Sequence, residues 1–275
     1  MNPQVSRAAA LAAALLVTAC VTPPAPPVSA EQVGEVRAGT GLLKGYLDHK
    51  QLPDSLALLP PPPAEASAQA GADLDVYRTT RTLRDSPRWT LASQDAVLSF
   101  PAAARTFSCA LDAPISAETS PHLTMLLRRT LTDAGLSTYG AKDRYNRMRP
   151  FVAAKEASCT PGEEAALSKD GSYPSGHSSI GWAWGLVLAS VAPERADAVL
   201  ARAHAFGQSR VVCGVHWQSD VEAGRVMGAA TFARLQSDPT YVAQVALARE
   251  EVAALRAKGV RSPNNCAAEA AALKR

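Results

Sequence analysis

Residues 178–192 read SSIGWAWGLVLASVA, a run without a single charged side chain. It is shorter than the ~20 residues that a membrane-spanning helix needs, yet it is apolar on every side. Such a run reads as a helix buried all round, the centre of a domain rather than one of its faces. What wraps it should also be helical. Residues 121–135 carry Leu123, Leu126, Leu127 and Leu131, the stripe of an amphipathic helix. Further helical patterns cover 73–83, 89–111 with a kink expected at Pro101, 219–235 and 239–258, and Pro193 suits the first turn of a helix running past Phe206. A short helix is expected around Gly45 to Lys50. Strand alternation is weak and no hairpin pattern stands out. The expected fold is all-α, a single compact helical domain over residues 36–260, followed by a polar tail at 261–275.

The N-terminus belongs to export rather than to the fold. Arg7 precedes an apolar stretch from Ala8 to Val17, and small residues then lead to Cys20. This resembles a lipoprotein signal over residues 1–19, with Cys20 as the lipidated residue; an ordinary secretory signal cleaved near Ala30 is the alternative. Residues 20–35 are Pro-rich and read as a tether. The four prolines at 60–63, which follow the apolar Leu56 to Leu59, read as an extended segment that those leucines dock on the domain. The expected location is the periplasm, with a lipid anchor in the outer membrane as the one contact with a membrane.

Export changes how the cysteines read. Setting Cys20 aside leaves Cys109, Cys159, Cys213 and Cys266, an even set in an oxidising compartment. At least one disulfide is expected, and three pairings are open. No CxxC or Cys/His cluster suggests a metal. The net charge of +3 contains no basic block, which argues against nucleic acid as a partner.

Chemistry concentrates in three stretches. His216 and Asp220 are four apart, so a helix would place them on one face, with the carboxylate holding the Nδ1 proton and leaving Nε2 as a nucleophile. Ser175, Gly176 and His177 precede the apolar helix, where free N–H groups and the dipole favour an oxyanion. Lys142 and Arg149 are seven apart, about two turns if the segment is helical, with Pro150 ending it; Arg210 adds a third cation. Arg144 and Arg147 read as a solvated basic face.

Taken together, Lys142-x6-Arg149-Pro150, Pro174-Ser175-Gly176-His177 and Ser209-Arg210-x5-His216-x3-Asp220 resemble the three-part signature of the type 2 phosphatidic acid phosphatase superfamily, which includes vanadium haloperoxidases. The flanks, with Gly171 to Tyr173, Cys213-Gly214 and Trp217 to Ser219, are similar to class A bacterial non-specific acid phosphatases, as is the Leu-Leu-Pro-Pro-Pro-Pro segment. The resemblance spans roughly residues 55 to 255 and implies that superfamily's helical fold.

It also implies roles. Lys142, Arg149, Ser175, Gly176 and Arg210 would bind phosphate, His216 would attack phosphorus with Asp220 behind it, and His177 would protonate the leaving group. No metal and no cofactor are implied. The expected substrates are small-molecule phosphate monoesters, with phosphotransfer to alcohols as a further outcome. Tyr145, Tyr173 or Trp217 would shape the leaving-group pocket. A vanadate-dependent haloperoxidase and a lipid or polyprenyl phosphate phosphatase are the alternatives on the same residues, and a catalytically silent envelope binding protein is a third. The oligomeric state is open, with a homodimer among the options.

Overall fold

The computed structural model describes residues 25–274. Cys20 and the signal sequence lie outside the described residues. The elements used below are α1 (Ala68–Thr80), α2 (Pro87–Gln94), α3 (Pro121–Leu136), α4 (Tyr139–Tyr145), α5 (Pro150–Ala154), α6 (Gly176–Val191), α7 (Ala196–Val212), α8 (Gln218–Leu235), α9 (Pro239–Ala257) and α10 (Cys266–Ala272). Among the described residues no strand forms; one isolated bridge joins Glu35 to Leu43.

The charge-free run is α6. Ser175 caps it: its backbone is extended and its side chain accepts the Ser178 N–H, satisfying one of the donors that a helix start leaves unpaired. The helix then packs against α3, α7, α8 and α9. Trp184 is fully buried in this ring, edge-on to Phe100 and Phe107, and donates its indole N–H to the Leu127 carbonyl at 2.8 Å. Truncating such a side chain costs about 3–5 kcal/mol, so Trp184 alone carries a large share of a domain's net stability. Small residues set how closely the helices approach. A β-carbon at Gly224 of α8 would lie 2.4 Å from the Ser175 carbonyl oxygen, and one at Gly228 would lie 2.4 Å from that of Ser179. Both glycines are therefore fixed by the close approach of α8 to the start of α6, the end that carries Ser175 and His177.

Several expectations need correction. The span 89–111 is not one kinked helix: α2 ends at Gln94, and a 3-10 segment at Ala103–Phe107 and a single turn at Ser108–Leu111 follow. Pro101 has no N–H and restricts the residue before it, so the helix does not continue through it. The helix expected around Gly45 to Lys50 is a 3-10 turn at His49–Gln51; the chain before it instead bends against α3, where Asp133 accepts the N–H groups of Tyr46 and Leu47. Docking of the Leu56–Leu59 segment rests on Leu59, because Leu56 and Leu58 are exposed. The polyproline stretch is tied down by the Tyr173 hydroxyl, which donates to the Pro60 carbonyl at 2.8 Å. The C-terminal residues read as a polar tail instead form α10, which packs on α2.

The cysteine pairing is Cys109–Cys266 and Cys159–Cys213. The first bond holds α10 to the body. The second joins the loop after α5 to the end of α7, three residues before His216.

Candidate active site

The site forms where the start of α6, the end of α7 and the start of α8 meet. α7 stops at Val212. Gly214 then adopts φ +79°, a backbone that L side chains rarely take, and reverses the chain so that the Val215 and His216 N–H groups return to the Arg210 carbonyl at 3.1 and 3.3 Å. Arg81 of the neighbouring 3-10 turn braces this reversal by donating to the carbonyls of Val211 and Val212 at 3.0 and 2.6 Å.

His216 thus lies in the turn before α8, not on the helix face that its spacing from Asp220 suggested. Asp220, in the first turn of α8, accepts the Trp217 N–H at 2.8 Å, and its Oδ2 is 3.5 Å from His216 Nδ1. On the other side of the ring, Arg149 Nη1 is 3.0 Å from His216 Nε2. Arginine can only donate, so Nε2 presents its lone pair and the ring proton sits on Nδ1, which lies near Asp220 without closing a hydrogen bond to it. The tautomer therefore follows from Arg149 rather than from Asp220. Burial, with Arg149, Lys142 and Arg210 nearby, holds the His216 pKa well below its ordinary value.

His177 is on the first turn of α6, with its ring against Phe206. Its Nε2 is 3.0 Å from the Ala96 carbonyl. A carbonyl only accepts, so Nε2 carries the proton and Nδ1 is left for another partner. Ala96 is available because α2 has ended two residues earlier. Burial and then the Arg210 charge push the His177 pKa well below its ordinary value.

Lys142 and Arg149 do not share a helix. α4 ends at Tyr145, Asn146 takes a left-handed backbone, and Arg149 is the extended residue before α5, which Pro150 begins rather than ends. Both side chains still converge. Lys142 Nζ donates to the Gly171 carbonyl at 2.6 Å, and burial, then Arg149, lowers its pKa to about 8. Arg149 donates to the carbonyls of Leu167, Asp170 and Val215 at 2.9, 2.9 and 3.0 Å. Asp170 reaches both cations, Oδ2 lying 3.0 Å from Arg149 and 3.6 Å from Lys142.

Arg210 differs from the other cations. It is fully buried on α7, and none of its three guanidinium nitrogens has a hydrogen-bond partner among the described residues. Burial lowers its pKa to about 10, still far above neutrality, so the cation persists. A desolvated charge without hydrogen bonds is costly unless an anion completes it. Ser175 Oγ accepts from the Ser178 N–H and hydroxyl, which leaves its own proton free to donate. Gly176 is the first residue of α6, where helix N–H groups have no internal partner.

Sequence reasoning missed three contributors. Arg147, read as solvated, is mostly buried: Nη1 donates to Asp220 at 2.7 Å and to Ser219 at 2.8 Å, and Nη2 donates to Asp73 at 2.9 Å. Its guanidinium also sits over the Trp217 ring. Asp73 of α1 takes the Ser219 N–H and hydroxyl, so it anchors the start of α8. Asp170 is the third. Arg144 is exposed, as expected. Ser209, a signature residue, accepts from Arg88 at 2.9 Å and donates to Asp95 at 2.6 Å.

The arrangement brings two imidazoles and three buried cations together beside the start of α6. Comparison with known proteins decides the family. The PAP2 superfamily profile matches residues 122–241. A non-specific acid phosphatase of Providencia stuartii is 44% identical over 212 residues, covering 77% of this chain and 86% of that protein. The chain belongs to the non-specific acid phosphatases of the PAP2 superfamily. A non-specific acid phosphatase of Salmonella typhimurium is 44% identical over 70% of this chain and 78% of its own length. An acid phosphatase of Zymomonas mobilis is 40% identical over 72% of this chain and 75% of its own length. No helix among the described residues is long and apolar enough to cross a membrane.

Proposed function

We propose that this acid phosphatase hydrolyses a broad range of small phosphate monoesters through a covalent phosphohistidine at His216. The observation that carries the reading is Arg210, a fully buried cation whose guanidinium nitrogens lack hydrogen-bond partners among the described residues, close to His216, whose Nε2 faces the Arg149 donor. The phosphoryl group is held by Lys142, Arg149, Arg210, the Ser175 hydroxyl and the Gly176 N–H. These donors match the charge that spreads over the equatorial oxygens in the transition state.

In the first step the Arg149 donor leaves Nε2 for a phosphoryl oxygen, and the Nε2 lone pair forms the N–P bond. The bond to the leaving oxygen breaks, and that oxygen takes a proton from His177. The imidazole becomes cationic, and Asp220, held by Arg147, stabilises the charge. In the second step His177 accepts a proton from water as it attacks phosphorus, and the N–P electron pair returns to Nε2. An alcohol in place of water gives phosphotransfer. Cys20 would tether the mature enzyme to the outer membrane from the periplasmic side, consistent with two disulfides and an oxidising compartment.

The test is rapid acid quench with a labelled substrate. Wild type should give an acid-labile, base-stable phosphoenzyme, and His216→Ala should lose turnover by on the order of 10⁵-fold. Turnover at the wild-type rate without any trapped phosphoenzyme would exclude the covalent route.

A further inference from the structure

Asp170 stands immediately before the Gly171–Tyr173 flank of the second block, and the proposed mechanism does not use it. A single oxygen, Oδ2, faces both Arg149 Nη2 at 3.0 Å and Lys142 Nζ at 3.6 Å. The two cations are almost fully buried, whereas the Asp170 side chain is 37% exposed. Its backbone is not free to move with it. Arg149 Nε holds the carbonyls of Leu167 and Asp170, Lys142 holds that of Gly171, and a β-carbon at Gly171 would lie 2.9 Å from Asn146 Cα and from the Lys142 carbonyl oxygen. The main chain is clamped while the carboxylate sits at the solvent edge. Side-chain rotation alone separates it from the cations.

The other carboxylates near the site are built differently. Asp220 and Asp73 are buried, and each accepts a backbone N–H of the α8 start, Asp220 that of Trp217 and Asp73 that of Ser219. Neither can leave without unpairing that donor. The Asp170 carboxylate instead meets Arg149 and Lys142, the same two cations that the phosphoryl oxygens require. A carboxylate oxygen and a phosphoryl oxygen cannot both occupy one donor direction at about 3 Å, and two anions there repel.

We propose that Asp170 is an internal competitor for the phosphoryl group, a specificity-determining residue that sets how tightly the site holds substrate phosphate and product phosphate. The inference rests on the phosphate-binding reading above. In the free enzyme Asp170 partly neutralises Lys142 and Arg149. An incoming phosphoryl group, with more charge and more oxygens, displaces it towards solvent. When phosphate is the product, the returning carboxylate weakens its hold and speeds its release.

The test compares wild type with Asp170→Asn, which removes the charge but keeps the shape, and Asp170→Glu, which keeps the charge. Competitive inhibition of p-nitrophenyl phosphate hydrolysis by inorganic phosphate is measured together with KM and kcat. Asp170→Asn should lower both the phosphate inhibition constant and KM by about tenfold, the size of one partly screened ion pair. Its kcat should stay level or fall, because release slows. Asp170→Glu should stay near wild type. An inhibition constant that is unchanged or raised in Asp170→Asn would overturn the proposal and make Asp170 a positioning residue for Arg149. The melting temperature with and without phosphate gives a second readout, with a larger phosphate-induced rise expected in Asp170→Asn. Asp170→Ser substitutes if the Asn variant does not fold. If phosphate neither inhibits nor stabilises wild type, the phosphate-site reading fails and the Asp170 proposal falls with it. Inhibition of wild type without added sensitivity in the charge-removing variants overturns the Asp170 proposal alone.

Discussion

Two arginines on α7 make opposite use of burial. Arg202 is buried at 3% exposure and Arg210 at 0%, eight residues apart on one helix. Arg202 donates through both terminal nitrogens to Asp95, with Glu269 of α10 3.5 Å from its Nε. Those carboxylates raise its pKa above the ordinary value, while for Arg210 burial outweighs the attraction of Glu163 and Asp95 and lowers its pKa to about 10. Asp95 also accepts from Ser209, next to Arg210, so the paired end of α7 helps position the unpaired end. A buried cation with its carboxylates belongs to the fold. A buried cation that no carboxylate hydrogen-bonds is poised for an anion from outside, and the fold must be stable enough elsewhere to carry it.

The comparison can be broken from either end. The largest effect expected on stability is at the paired end: Asp95→Ala leaves Arg202 buried and facing a cavity, and should cost about 3–5 kcal/mol in urea unfolding. A loss under 1 kcal/mol would mean that Arg202 is not held by this pair. At the other end, Arg210→Met should leave the midpoint of unfolding level or raised, because it removes an unpaired buried charge. The same variant should lower kcat/KM by about 100- to 1000-fold, the usual cost of one transition-state donor. An Arg210→Met enzyme that is unfolded yet a wild type indifferent to phosphate would assign Arg210 to the fold instead.

A smaller effect sharpens the contrast through pH. Burial and Arg210 hold His177 neutral in the free enzyme, so protonating it requires acid or a bound phosphate anion. Activity should therefore rise as pH falls from 8 towards 6, and His177→Asn should flatten that limb at a lower rate. The sign for stability is opposite. His177 and His216 both have folded pKa values below the unfolded value of about 6.5, so the unfolded chain binds more protons and stability is lost as pH falls below that value. Phosphate should offset this loss in wild type more than in Arg210→Met, measured by thermal melting at pH 5 and 7.

The signature residues were legible because their spacing is local: each block is at most a dozen residues long and lies at helix ends, the second at the start of α6 and the other two across the junction between consecutive helices. The central helix was legible for the same reason, since a charge-free run of that length has few other fates. Ser175 and His177 were placed at its start correctly by the cap alone. Arg147 was misread because its two carboxylate partners are 73 and 74 residues away, and nothing in a basic stretch marks which arginine turns inward. Lys142 and Arg149 were brought together by the wrong device, a continuous helix, where Asn146 in fact breaks the helix and a loop folds Arg149 back.

The amino-acid sequence by itself determined the helical class, the central helix, the signature residues that the proposed function assigns to phosphate, and the even set Cys109, Cys159, Cys213 and Cys266. Local propensity and fixed spacing suffice for each of these. Only the tertiary structure decided which cysteines pair, that the C-terminal residues close over α2 as a helix, which arginine is paired and which is left open, and that Asp170 sits on two of the three cations. Those facts depend on how helices distant in sequence approach one another. That approach is governed by close contacts such as Gly224 and Gly228 against the backbone of α6, which no local pattern encodes.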